Sequence, residues 1–81
     1  MKEIIDKITE VLKQVKYPGF SRDIISFGII KKIHVDPNNT IRIDINLNTS
    51  DPTHKNILKS NITNIISDNF NFNNISIIFF E

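Results

Sequence analysis

The 81-residue chain contains no cysteine and no tryptophan, and a count along it finds no alanine either. Without cysteine there can be no disulfide, no thiolate zinc site, no thiolate-held iron–sulfur cluster and no cysteine nucleophile within this polypeptide. Charge of one sign is also lacking. Ten basic and nine acidic residues leave a net charge of +1, and the two signs alternate along the chain, which argues against a dedicated nucleic-acid binder. Nor is there a long apolar run. The opening "MKEIIDKITE" carries a charge every few residues, unlike a secretion signal or a membrane span, so the expectation is a cytoplasmic protein with no membrane partner. Glycine, at two residues, and proline, at three, are too scarce for a flexible linker, and a single small domain over residues 1–81 is expected.

What is abundant is isoleucine (eighteen) and asparagine (eleven), followed by eight lysines. These are residues that AT-rich codons favour, and the bias reads as compositional drift rather than a binding tract. The Asn-x-Ser/Thr triplets at Asn38, Asn48, Asn61 and Asn74 follow from the same abundance.

Ile4, Ile5, Ile8, Val11, Leu12 and Val15 recur at three- and four-residue spacing, with charges opposite, predicting an amphipathic helix that ends near Lys16, before Pro18 and Gly19. In "SRDIISFG", Ser21 is a candidate cap, Arg22 and Asp23 a surface pair or cap, and Ile24, Ile25 and Phe27 anchor one short turn ahead of Gly28. Residues 29–35 are mostly apolar and β-branched, and "DPNN" suits a tight turn. In "TIRIDINLN", Ile41, Ile43, Ile45 and Leu47 alternate with Arg42, Asp44 and Asn46, predicting a strand with one wet face that closes a hairpin. Ile57, Leu58, Ile62, Ile65 and Ile66 predict a second helix running to about Asp68, and "NISIIFFE" reads as a buried or partner-covered strand. The fold class expected is α+β: a two-layer sandwich in the order helix, short turn, strand, strand, helix, strand, with the helices on one face of a three-stranded sheet.

Candidate chemistry is sparse. In "TSDPTHK", Asp51 before Pro52 reads first as a helix cap, with the N–H groups of Thr53 and His54 as a possible anion or carboxylate seat. His54 has no second histidine or cysteine at ligand spacing, and His34 stands twenty residues earlier. Ser21, Ser26 and Ser50 lack the Gly-x-Ser-x-Gly context of a hydrolase. No catalytic, cofactor-binding or metal-binding residue is therefore assigned, and an enzyme using Asp23, Asp51 and His54 would need those groups to converge. Phe20 and Phe27 read as anchors of their loop to the core. Phe79 and Phe80 are consecutive on a strand, so one of them should cover a partner or a further domain.

The stretch "YPGFSRDIISFGIIKKIHV" resembles the iron–sulfur cluster assembly domain that occurs as stand-alone SufT-like proteins and as the amino-terminal domain of Mrp/ApbC-type carrier ATPases. That family carries a Pro-containing turn, then Asp-Ile-Val-Ser-Leu-Gly-Met-Val, then a strand, and Asp23 to Ile30 match it position by position with conservative changes. Two departures accompany the match. Tyr17, Pro18 and Gly19 stand where members often have Asp-Pro-Glu, and Asp51 precedes Pro52 where many members hold a cysteine. A carboxylate is a hard ligand, so the resemblance implies a non-catalytic accessory domain with no cofactor of its own, meeting an iron–sulfur cluster only through a partner. The implied partners are a carrier ATPase domain, a scaffold or a target apoprotein. Their docking residues would be Tyr17, Arg22, Asp23, Phe27, Thr49, Ser50, Asp51, His54 and Phe80, and a homodimer through the last strand is a further option. The alternative is a small nucleic-acid-binding α+β module, weakened by the absence of a Gly-x-x-Gly loop.

Overall fold

The computed structural model describes residues 2–47 and 51–80. Three helices and three strands follow in the expected order: α1 (Lys2–Leu12), α2 (Ile24–Phe27), β1 (Ile30–Val35), β2 (Thr40–Asn46), α3 (Pro52–Asn69) and β3 (Asn74–Phe80). β1 and β2 form the antiparallel hairpin, with a bulge between Ile30 and Lys32. β3 returns after α3 to lie parallel to β2, which places β2 at the centre of the sheet. The fold is α+β, with its helices on one face of this mixed sheet. Among the described residues no helix is long and apolar enough to cross a membrane.

The core explains the arrangement. Ile41, Ile43 and Ile45 of β2 and Ile77 of β3 point to one side, where Ile8 and Leu12 of α1, Ile24 of α2 and Leu58, Ile62 and Ile66 of α3 meet them. α3 holds few strong helix formers and many β-branched and asparagine residues, so burial of one face and its end caps must offset poor propensity. Asp51 caps its start with Pro52 at the first helical position. At its end the Asn69 amide donates to the Ile65 carbonyl at 2.8 Å and the Phe70 N–H to Ile66 at 2.8 Å.

Four details depart from the sequence reading. α1 ends at Leu12, not near Lys16, and tightens through three-residue turns as far as Val15. The chain there must extend, because Lys16 bridges Asp23 and the Ile24 N–H donates to Val15 at 2.9 Å. Ser21 is not the cap of α2; Asp23 is. Ile57 is 41 % exposed, because Leu58, four residues before Ile62 and eight before Ile66, holds the core position. Asp44, on the face expected to be wet, has a side chain only 7 % exposed.

The asparagines are also more than compositional drift. Asn39 takes the left-handed conformation (φ 62°) in the turn between β1 and β2, which this residue type tolerates. Its side chain donates to the Asn71 carbonyl at 2.6 Å, while Asn73 donates from its backbone to Asn39 at 2.8 Å and from its side chain to Asn38 at 3.0 Å. Asp36 closes the same turn by accepting from the Asn38 N–H, the Thr40 N–H and the Thr40 hydroxyl. These bonds bind the hairpin turn to the segment that leads into β3.

Replacing Ile43 with alanine should lower unfolding stability by about 3 kcal/mol, as for other fully buried aliphatic side chains. Ile57→Ala should change it by less than about 0.5 kcal/mol beyond propensity effects; urea titration of the two variants separates them.

Candidate docking site

Tyr17, Pro18, Gly19 and Phe20 fold as a type II turn, with the Phe20 N–H donating to the Tyr17 carbonyl at 3.0 Å and Gly19 at φ 83°. Proline before a residue of positive φ is the sequence that this turn requires. The Tyr17 N–H donates to the Arg22 carbonyl at 3.0 Å, closing the turn at its base. One residue on, Asp23 accepts from the N–H groups of Ile25 and Ser26 at 3.0 and 3.1 Å and from the Ser26 hydroxyl at 2.7 Å. α2 is thereby capped at its start, and Gly28, at φ 73°, stops it by donating to Ile25.

This framework gathers aromatic rings. Tyr17 lies 4.8 Å from Phe27 and 5.6 Å from Phe20, and Phe20 lies 5.3 Å from Phe27, centroid to centroid. The Arg22 guanidinium sits over the Phe27 ring at 5.4 Å and donates to the Ser26 carbonyl at 3.2 Å. Tyr17 and Phe27 are half-buried, but Phe20 is 59 % exposed. It therefore stacks on its neighbours at the surface and does not anchor the loop in the core.

The start of α3 joins this cluster. The His54 ring stands edge-on to Tyr17 at 6.4 Å, and His54 Nε2 is 3.7 Å from Asp51 Oδ2. Asp51 accepts the Thr53 N–H at 2.9 Å on its side chain and the His54 N–H at 3.2 Å on its carbonyl. The two N–H groups expected as an anion seat are therefore taken by the chain itself. Of the residues expected to form one docking surface, Tyr17, Arg22, Phe27, Asp51 and His54 are linked by this run of contacts, while Asp23 turns its carboxylate into the first turn of α2. Thr49 and Ser50 fall outside the described residues. Phe80 does not join the cluster: it is on the opposite, helix-free face, with the Lys31 ammonium 4.4 Å from its ring.

The acid–base constellation forms only in part, since Asp51 and His54 meet while Asp23 commits its carboxylate to the first turn of α2. Hydrogen bonding holds both carboxyls below their ordinary value. For Asp23 the Ser26 hydroxyl is the largest cause, followed by the Ser26 N–H. For Asp51 it is the Thr53 N–H, with the charge of His54 a smaller contribution.

A second cluster was invisible to the sequence reading. Asp44 sits in the middle of the open sheet face, with Arg42 Nε 3.0 Å from Oδ1 and Nη2 3.3 Å from Oδ2. His34 Nε2 lies 3.2 Å from Asp44 Oδ2 and 2.9 Å from Arg42 Nη2. Cross-strand register alone makes this trio, since His34 pairs with Arg42 on β1 and β2. A cavity of about 280 Å³ adjoins it, lined by His34, Asp36, Thr40, Arg42, Asn74 and Ser76.

The sequence of residues 5–69 matches the family model described as "Iron-sulfur cluster assembly protein". The chain belongs to that family. Its fold matches the crystal structure of a domain of unknown function, DUF59, from Bacillus anthracis, with a TM-score of 0.82 and 22 % sequence identity over 98 % of this chain and 76 % of that one. No curated protein matches the chain.

For a member of an iron–sulfur cluster assembly family, the donor set decides how the cluster could be met. The chain has no cysteine, and among the described residues no three His, Asp or Glu side chains gather as a metal site. Asp51 and His54 are one hard carboxylate and one imidazole. They do not fit as the ligand set of an iron–sulfur cluster, which is held by thiolates.

Two measurements follow. Hydrogen bonding holds the Asp23 and Asp51 carboxyls below the ordinary carboxylate range when folded, so the stability they contribute is complete above that range and disappears as pH falls through the folded values. Asp23→Ala and Asp51→Ala should each lower the urea midpoint at pH 7 and flatten its decline as pH falls through and below the ordinary carboxylate range. On the open face, Arg42→Ala leaves Asp44 buried without its main cation and should cost about 1–2 kcal/mol. Asp44→Leu leaves only the half-exposed Arg42 guanidinium without its carboxylate and should cost less; denaturant unfolding ranks the two.

Proposed function

We propose that the chain is a non-catalytic docking domain of iron–sulfur cluster assembly, similar to the amino-terminal domain of Mrp/ApbC-type carriers and to SufT-like proteins. It acts in the cytoplasm beside a P-loop carrier ATPase, a scaffold or a target apoprotein, and the cluster is cargo held by that partner. The supporting observation is the surface aromatic cluster in which exposed Phe20 packs on half-buried Tyr17 and Phe27, edged by Arg22 and His54. An aromatic anchor beside an arginine and within a polar rim is the composition that concentrates binding energy at protein interfaces. The type II turn, the cap on α2 and the cap on α3 hold these groups in place before a partner arrives, which lowers the ordering cost of association.

No Walker sequence occurs in the chain, so nucleotide chemistry belongs to the partner. The cysteine-free loop before Pro52 supports the same division of labour, with recognition here and thiolate ligation on the partner.

Calorimetric titration of the chain with the carrier ATPase domain of the same cell should show saturable binding, weakened about tenfold by Phe20→Ala and unchanged by Ile57→Ala. Equal affinity of the Phe20 variant, or no binding to carrier, scaffold or apoprotein, would remove this reading. Anaerobic reconstitution with iron and sulfide should leave no stable cluster on the isolated chain; a coloured, stoichiometric product overturns the assignment of the cluster to the partner.

A further inference from the structure

The two edges of the sheet are built differently. The outer edge at β1 carries Lys31 and Lys32, both exposed, and a bulge between Ile30 and Lys32. Lysines and bulges are the devices by which proteins blunt an edge against strand addition. β3, at the other edge, has none of them. Asn74–Phe80 contains no charge and no proline, and it pairs with β2 in unbroken register from Asn74 opposite Thr40 to Phe80 opposite Asn46. No strand lies on its outer side among the described residues. Two of the four large apolar side chains left most exposed, Ile78 at 39 % and Phe80 at 38 %, are on this strand.

We propose that β3 is a self-association edge, at which a second copy of this chain adds its own β3 antiparallel to form a six-stranded sheet across a twofold axis near Ile77 and Ile78. A second copy fits because a twofold axis sets each strand against its own sequence. Like charges placed opposite one another oppose pairing, and β1 would suffer this through Lys31 and Lys32 whereas the uncharged β3 does not. Ile78 faces the same side of the sheet as Asp44, and Phe80 the same side as Asn46. Antiparallel pairing therefore brings the Ile78 side chains of the two copies together on the open face, with each Phe80 flanking them. The exposed apolar area on each copy becomes mutually covered, and the free N–H and C=O groups of both strands pair. The surface is separate from the Tyr17–Phe20–Phe27 cluster, so its test is independent of partner docking.

Sedimentation equilibrium of the full chain from about 10 µM to about 1 mM should show a reversible monomer–dimer equilibrium. Ile78→Lys, placing a charge at the twofold contact, should weaken dimerisation on the order of tenfold or more, and Ile57→Lys on α3 should leave it unchanged. Hydrogen exchange offers a second readout without any substitution: the β3 amides that face away from β2 should gain protection as concentration rises. A chain that stays monomeric throughout the range, a dimer indifferent to Ile78→Lys, or association without new protection on β3 each overturns the proposal, including the case in which the edge receives a strand from a different protein.

Discussion

Ile41, Ile43 and Ile45 project from a strand that is hydrogen-bonded along both edges, and everything else is arranged to cover them. β2 has β1 on one side and β3 on the other, so its backbone polar groups are satisfied within the sheet and its inner side chains can be dry. Both long helices and the short α2 then share one layer of aliphatic side chains against it. An 81-residue chain can bury only a modest core. It lacks tryptophan to fill gaps, and branched isoleucines, which lose little rotamer freedom on a strand, do most of the filling. Because the core is a single layer, the face of β2 turned away from the helices stays open, and one carboxylate, Asp44, is screened there by Arg42 and His34 rather than by other elements.

The two ends of the sheet serve different purposes. At the hairpin-turn end, Asp36, Asn38, Asn39, Asn71 and Asn73 join two loops through side-chain and backbone bonds. Such bonds fix the entry of β3 and hence the parallel register, which a long α3 crossover would not specify by itself. At the other end, α2 leads into β1 and the chain leaves β2 for α3, and there the same kind of short polar bonding builds caps instead. Asp23 and Asp51 each turn the backbone into a helix start, and the aromatic rings ride on those starts. A cap is thus both a local stabiliser and the device that sets the position of Tyr17 relative to His54.

Much of this was readable from residues. The period-two run through Ile41, Ile43 and Ile45 and the Asp-Pro pair at residues 51–52 dictate a strand and a helix start by local physics alone. Asp23 to Ile30 carry the family resemblance, which the match over residues 5–69 bears out. Two of the failures needed a non-local contact. Val15 leaves the helix because Ile24 takes its carbonyl; propensity cannot see a bond to a residue nine positions on. Alternation assigned Asp44 to a wet face correctly but could not show that Arg42 and His34 would close over it, since their positions depend on cross-strand register. Phe20 was taken for a core anchor because its type favours burial, yet the turn that Pro18 and Gly19 impose aims it outward.

The thiol-free corner before α3 follows from the same economy. Asp51 saturates the corner, with its side chain on the Thr53 N–H, its carbonyl on the His54 N–H and its carboxylate beside the imidazole. A hard oxygen donor has little to offer soft iron–sulfur chemistry. It is well suited to holding a helix start and the neighbouring ring still. Rigidity at this corner suits the proposed docking role, because a partner seated on Tyr17, Phe20 and Phe27 would meet rings already packed on one another and would lose less entropy in ordering them.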